Sequence, residues 1–284
     1  MSKSDAKDMQ NWIGRNETVE DILSLSTIEN MNAMLGRRRA ELQTGDPLPP
    51  SWHWLYFNRG EAPDKLGRDG HIVKSDFMPP IPLPRRMWAG NRVEVTKPLT
   101  IGSLGKRVTT IEDISEKDGR TGPLIFLRER SDLSDDKGGQ LTDWRTLVHR
   151  GEADGTEKPQ PNPAPRNPVW HQKIMPDSVL LFRYSALTFN SHRIHYDRDY
   201  TTSVEGYSAL LVHGPLTATL LLNLLRSEMP DASLKEMNVR AMSPIFDNAT
   251  FSVNGTPAED GKSVRLWATT SDGDLAMTID VSLA

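Results

Sequence analysis

Residues 182–225, FRYSALTFNSHRIHYDRDYTTSVEGYSALLVHGPLTATLLLNLL, decide the fold of this chain. Their last part belongs to a predicted helix over residues 214–228, which carries leucine at positions 216, 220, 221, 222, 224 and 225. A helix that is apolar on nearly every face has to be covered by protein on all sides. An antiparallel sheet that curls around a central helix satisfies this requirement.

The same stretch brings two histidines close to the start of that helix. His195 lies in a polar segment, and His213 follows eighteen positions later, directly before Gly214 and Pro215. The first turn of a helix has free backbone N–H donors and carries the positive end of the helix dipole. An imidazole can move protons near neutral pH. The pattern therefore predicts a site that polarises a carbonyl group and activates a water molecule.

The first half of the chain contains a helix pattern followed by strand patterns. We predict a helix over residues 17–35, a strand-like aromatic segment over 52–57 and a long loop over 58–84. Alternating apolar positions then predict four strands, over residues 86–96, 105–115, 123–130 and 141–148.

A proline-rich segment, residues 150–168, has no large apolar side chain and is typical of an exposed linker. After it we predict a strand over 179–189, the apolar helix, and four more strands, over residues 237–242, 249–255, 264–270 and 276–281. Each half thus predicts a helix with several antiparallel strands. The expected fold class is α+β, a double hotdog in which two helix-wrapped antiparallel sheets lie in one chain.

The composition excludes several classes of protein and site. The 284 residues carry a net charge of −4 and no cysteine, so disulfides, thiolate nucleophiles and cysteine metal sites are excluded. The sequence has no cluster of basic residues, so a nucleic-acid partner is not expected. No apolar run approaches the ~20 residues of a membrane span. Because the amino terminus lacks an apolar signal segment, we expect a cytoplasmic protein. A homodimer is compatible with the sequence, which does not specify the oligomeric state.

Two motifs carry a resemblance to a known family. Residues 189–195, FNSHRIH, and 212–215, VHGP, resemble the G-D-x-N-P-x-H loop and the H-G-x helix start of the MaoC-like, or hydratase-2, enzymes. Residues 85–90, RRMWAG, and 117–124, KDGRTGPL, resemble the degenerate amino-terminal hotdog of two-domain members. Within the family, the chain is most similar to hydroxyacyl-thioester dehydratases type 2 and to mesaconyl-C4-CoA (3-methylfumaryl-CoA) hydratases. The resemblance implies a degenerate hotdog over 1–149, the linker over 150–168 and a catalytic hotdog over 169–284.

The resemblance also implies a function, a hydro-lyase that adds water to an enoyl-CoA thioester or removes it again, without a metal or other cofactor. Mesaconyl-C4-CoA, hydrated to citramalyl-CoA, is the preferred substrate. His195 is the expected base, and the N–H of Gly214 is expected to stabilise the thioester oxygen. Asn190 stands where the family has an acid, and since an amide cannot take a proton, we expect it to hold the water. The candidate substrate-binding residues are Arg85, Arg86, Arg183 and His213.

Three other functions remain open at this point. One is a 3-hydroxyacyl-thioester dehydratase of fatty-acid metabolism. Another is a non-catalytic module that binds acyl thioesters, which the loss of the acid at Asn190 favours. The third is a non-haem iron oxygenase, because His195, Asp197 and His213 have the ligand types of a two-histidine, one-carboxylate iron site.

Overall fold

The strands of the protein are long and cover both halves of the chain. A computed structural model describes residues 9–38, 41–72, 75–119, 122–151 and 162–284. The first half contributes β1 (Asn16–Ile22), β2 (Arg85–Lys97), β3 (Leu104–Gly119), β4 (Gly122–Asp135) and β5 (Gln140–Arg150). The second half contributes β6 (Trp170–Ile174), β7 (Leu234–Ala241), β8 (Phe251–Pro257), β9 (Ser263–Thr269) and β10 (Leu275–Leu283). The strands predicted at 86–96, 105–115, 123–130 and 141–148, and the four predicted after residue 230, are therefore confirmed.

These strands form one antiparallel sheet of ten strands in the order β1-β3-β4-β5-β2-β7-β10-β9-β8-β6. The two halves meet where β2 pairs with β7, with Val93 opposite Met237. Gly90 makes this approach possible, since a Cβ atom there would lie 1.9 Å from the carbonyl oxygen of Val239. The sheet is thus continuous across the boundary between the halves.

Four α-helices lie wholly within the described residues and accompany the sheet: α1 (Leu25–Met34), α2 (Ser178–Thr188), α3 (Arg198–Ser203) and α4 (Gly214–Glu228). Helix α4 has the predicted bounds, and most of its side chains are buried, including threonines as well as leucines. It packs against β8, β9 and β10. The prediction of a central helix wrapped by strands is confirmed for the second half.

Three predicted elements were wrong. Residues 17–35 contain β1 before α1, because the first part pairs with β3 instead of continuing the helix. Residues 52–57 contain a 3₁₀ helix, Trp52–Leu55. Ser51, directly before this helix, and Phe57, two positions after it, have φ of 68° and 63°. Left-handed backbone at these positions cannot continue a strand.

The segment 179–189 forms helix α2 rather than a strand. Its aromatic and β-branched residues favour a strand locally, but the carboxylate of Asp177 accepts a hydrogen bond from the N–H of Leu180 at 2.7 Å and caps a helix. Leu181, Tyr184 and Ser185 are buried at helical spacing. The N-cap residue Asp177, directly after Pro176, was the sequence signal for a helix, but the apolar run that follows it also fits a strand.

Residues 152–161 of the predicted linker lie outside the described residues. The division into domains at 1–149 and 169–284 remains our proposal. None of the helices in the described ranges is long and apolar enough to cross a membrane.

Candidate active site

Four imidazole rings form a row that ends at the start of α4. The ring centroids of His71 and His192 lie 3.8 Å apart, those of His192 and His195 lie 5.4 Å apart, and those of His195 and His213 lie 3.6 Å apart and are stacked. His213 is the N-cap residue of α4. The fold therefore brings His195 next to the first turn of the apolar helix.

His195 is held in its neutral form. It ends the 3₁₀ helix Arg193–His195 and is buried. Its Nδ1 lies 2.8 Å from the carbonyl oxygen of Leu211, which can only accept, so the proton sits on Nδ1 and the lone pair on Nε2. Burial lowers the pKa of His195 to about 4, which keeps the ring neutral at pH 7. Within the described residues Nε2 has no hydrogen bond, so it is available to take a proton.

His213 is tied to α2. Its Nε2 and the hydroxyl of Ser185 lie 2.8 Å apart, and its Nδ1 is buried without a partner among the described residues. Burial, reinforced by His195 and His192, holds the pKa of His213 well below its ordinary value. The hydrogen bond fixes the ring against which His195 stacks.

Gly214 begins the first turn of α4, where N–H groups have no partner within the helix. A Cβ atom at this position would lie 2.4 Å from Cε3 of Trp88. Trp88 in turn donates from Nε1 to the side-chain oxygen of Asn91 at 2.5 Å. The missing side chain of Gly214 thus makes room for an indole ring, and its N–H group has no acceptor within the helix.

Asn190 follows α2 and is half-buried. Its side-chain oxygen accepts the backbone N–H of His192 at 3.0 Å. The amide therefore shapes the loop that carries His192 and His195. Its NH₂ group forms no hydrogen bond in the part of the chain that the structure describes.

The three candidate arginines have different surroundings. Arg85 pairs with Glu205 at 3.3 Å and donates to the hydroxyl of Tyr207 at 2.7 Å. Arg183 is exposed on α2. Arg86 is half-buried and forms no hydrogen bond or ion pair with any described residue. Burial and, after it, the charge of Arg145 lower the pKa of Arg86 to about 10.

Two polar residues at the site, Asp69 and His71, were missed by sequence reasoning because they lie in the long loop over 58–84. The carboxylate of Asp69 accepts Nδ1–H of His71 at 3.0 Å. Burial opposes ionisation of Asp69, but the hydrogen bonds and charge of His71 outweigh it and lower the pKa of this carboxyl. The pattern Asp-Gly-His indicates a turn, but nothing in it points to His195.

The loop is fastened to the active-site segment by backbone contacts. The N–H of Arg193 donates to the carbonyl oxygen of Asp69 at 2.8 Å, and the hydroxyl of Ser191 donates to that of Gly70 at 2.6 Å. Gly70 has φ of 84°, and a Cβ atom there would lie 2.1 Å from the carbonyl oxygen of Ser191. Only glycine allows this approach.

The iron set considered from the sequence does not form. Asp197 caps α3 by accepting the N–H of Tyr200 at 3.0 Å, and its other oxygen pairs with Arg193 at 2.7 Å. Asp197 is therefore occupied away from His195 and His213. Among the described residues, a different set could hold a metal ion, with ligand atoms within 4.8 Å of one another: Asp69, His71 and His192.

Comparisons with known proteins agree on the family. The model of the hydroxyacyl-thioester dehydratase type 2 family matches residues 51–247. The chain is 39% identical to mesaconyl-C(4)-CoA hydratase from Chloroflexus aurantiacus over 97% of this chain and 98% of that protein. It is 27% identical to the mitochondrial hydroxyacyl-thioester dehydratase type 2 of Schizosaccharomyces pombe over 81% of this chain and 86% of that protein.

Solved structures show the fold. A MaoC-like dehydratase from Phytophthora capsici superposes with a TM-score of 0.70 at 17% identity, covering 98% of each chain. A Mycobacterium tuberculosis protein with a double hotdog fold superposes with a TM-score of 0.59 at 13% identity, covering 95% of this chain and 96% of that one. The predicted double hotdog is confirmed. With a family model that matches more than half of its length, this chain belongs to the hydroxyacyl-thioester dehydratase type 2 family, whose members are hydro-lyases of acyl thioesters.

Proposed function

We propose that the protein hydrates mesaconyl-C4-CoA to citramalyl-CoA. The observation that carries the proposal is the neutral, buried His195, whose free Nε2 lies in a ring stacked on the residue that starts α4. A base next to unpaired N–H groups suits the addition of water to a double bond conjugated with a thioester.

In the proposed reaction, Nε2 of His195 takes a proton from water while the water oxygen bonds to the β-carbon. The electron pair of the double bond moves toward the thioester, whose oxygen becomes enolate-like. The N–H of Gly214 stabilises this oxygen, and one such donor contributes about 3 kcal/mol in comparable sites. The imidazolium of His195 then returns the proton to the α-carbon, which gives net syn addition and restores the neutral base.

One face of the sheet in the first half carries ionic side chains, which favour a short, charged acyl group over a fatty acyl chain. Arg86 lies opposite His149, and Glu129 opposite Arg145, on the face of the sheet that also carries the buried Leu147. A long hydrocarbon chain against this surface would strip water from ionic groups at a large cost. The 39% identical relative, which is named for a dicarboxylic substrate, supports the same choice.

A panel of thioesters tests the proposal. The purified enzyme is given mesaconyl-C4-CoA, crotonyl-CoA and a C10 2-enoyl-CoA, and loss of absorbance of the conjugated thioester is followed. We expect the highest kcat/KM with mesaconyl-C4-CoA. A higher kcat/KM with the C10 substrate would instead assign the protein to fatty-acid dehydratases, and tight binding without turnover of any of the three would make it a binding module.

The cytoplasmic location, the lack of a nucleic-acid partner and a homodimer stay predictions from the sequence.

A further inference from the structure

The chemistry of the proposed substrate restricts where its carboxylate can bind. In mesaconyl-C4-CoA the free carboxylate is attached to the β-carbon, the atom that receives the hydroxyl group. A cation that binds this carboxylate must therefore lie close to the base that activates the water. This constraint rests on the proposed function and can be compared directly with the positions of the arginines.

Arg86 meets the constraint. Arg86 lies two positions before Trp88 on β2, on the same face of the strand, and Trp88 packs against Gly214 at the start of α4. The charge of Arg86 also lowers the pKa of His71 and of His192. Its register partner on β5 is His149, whose pKa it also lowers after the larger effect of burial. Arg86 thus stands at the boundary between the imidazole row and the inner surface of the first half.

The guanidinium of Arg86 has no ion-pair partner among the described residues, although the charges of Glu129 and Asp69 act on it. Nearby Arg145 donates from Nε at 2.7 Å and from Nη2 at 2.6 Å to one oxygen of Glu129, so that pair is neutral as a unit. Arg86 itself forms no hydrogen bond or ion pair with a described residue. A half-buried guanidinium without an ion-pair partner has lost part of its hydration, and binding of an anion compensates for this loss.

A second observation marks the same place as a ligand site. His149 is 9% exposed, and its Nε2 is buried without a hydrogen-bond partner among the described residues. Buried polar atoms are normally paired, so an unpaired one beside an unpaired charge indicates a missing polar ligand. The other two candidate arginines offer no such place, since Arg85 is bound to Glu205 and Arg183 is exposed.

We propose that Arg86 binds the β-carboxylate of the substrate in the space that it shares with His149, and that it selects dicarboxylic over monocarboxylic enoyl-CoA thioesters. The planar guanidinium can hold both carboxylate oxygens at once. Binding in this way would set the β-carbon beside His195.

The test compares two substrates of the same shape. In 3-methylcrotonyl-CoA a methyl group replaces the carboxylate of mesaconyl-C4-CoA. For Arg86→Gln, kcat/KM with mesaconyl-C4-CoA should fall about 100-fold, as expected for loss of a charge-assisted pair, and kcat/KM with 3-methylcrotonyl-CoA should stay within about threefold. Arg86→Lys should recover part of the loss, and the matched control Arg265→Gln, exposed on β9, should change neither value.

Equal losses with both substrates, or no loss with either, would overturn the inference. A thermal melt tests for a structural role. Removal of a half-buried charge without an ion-pair partner should leave Tm unchanged or higher, whereas a fall in Tm would show that Arg86 supports the fold. Equilibrium binding of both thioesters, measured in a His195→Gln background, gives a readout that does not need turnover. If the wild-type enzyme hydrates no mesaconyl-C4-CoA but Arg86→Gln still weakens only its binding, the proposed function fails and the carboxylate site stands.

Discussion

His195 owes its chemistry to two local facts, the carbonyl oxygen of Leu211 at one nitrogen and burial around the ring. The first fixes the tautomer, and the second disfavours the charged form. A histidine on the surface would be partly protonated at pH 6.5, whereas this one stays neutral. The residue is therefore set up as a base over an unusually wide range of pH.

This state predicts the pH dependence of the reaction. Because the base must be neutral, kcat/KM is lost only when pH falls through the lowered pKa of His195, about 4. For enzyme that circular dichroism shows to be folded at each pH, we expect a flat profile of kcat/KM from about pH 8 to about pH 5.5. An acidic limb centred near the ordinary histidine pKa would contradict this assignment.

Replacement of the base gives a second prediction. His195→Gln should lower kcat by about 10²- to 10⁴-fold, the usual contribution of a general base, while circular dichroism and Tm stay close to wild type. His171→Gln is a suitable control, because His171 lies exposed on β6. Full activity of the His195 variant would show that another group removes the proton from water.

Among the elements, the loop over 58–84 matters because of where it docks. It belongs to the first half of the chain, yet its backbone is bonded to the segment around Arg193, and it delivers Asp69 and His71 to the site. Asn190, in the position of the family's acid, has its oxygen committed to the backbone of His192. The loop thus brings ionisable groups to a site whose motif has lost its own carboxylate.

The docking is tested at Gly70. Gly70→Ala should lower kcat/KM by at least about tenfold, because a Cβ atom cannot fit 2.1 Å from the carbonyl oxygen of Ser191 and the loop has to move. The matched control is Gly273→Ala, which has φ of 88° but no atom within 4 Å of the added carbon. Both variants bear the strain of a positive φ, so equal activities would mean that the position of the loop is unimportant.

In the whole molecule, four buried histidines and the half-buried His71 lie in surroundings that favour the neutral ring. These residues, spread over both halves, have lowered pKa values, namely His71, His149, His192, His195 and His213. The unfolded chain protonates its histidines below about pH 6.5, and the folded protein does so only at lower pH. Folding is therefore coupled to the loss of protons in mildly acidic solution.

The sign of this coupling predicts acid sensitivity. Between about pH 6.5 and the lowered folded values, the unfolded state binds more protons, so the free energy of unfolding falls by about 1.4 kcal/mol per histidine for each pH unit of acidification. Urea denaturation at pH 7.5 and at pH 5.5 should show this loss. His149→Gln should reduce the difference in the free energy of unfolding by the amount that one histidine contributes. Equal stability at the two pH values would mean that these rings are not buried as described.

Helix α4 and the strands β2–β5 and β7–β10 were predicted from local patterns alone, and His195 was predicted from the nearby helix start together with the family resemblance. Apolar spacing, helix starts and turn residues depend on neighbouring positions, so they can be recognised without knowledge of the tertiary structure. Helix α2 was predicted as a strand because its apolar run fits a strand equally well. Only the capping residue Asp177 and the buried face of the helix distinguish the two.

The tertiary structure alone decided which side chains share the site. Asp69 and His71 lie more than a hundred positions from His195, and their approach depends on how one loop packs, which no local pattern encodes. The three candidate arginines look alike in the sequence but differ in the structure. Arg85 pairs with Glu205, Arg183 is exposed, and Arg86 is half-buried without an ion-pair partner among the described residues. The sequence determined the fold and pointed to His195 as the candidate base, whereas burial and the positions of distant partners distinguish Arg86 from the other two arginines.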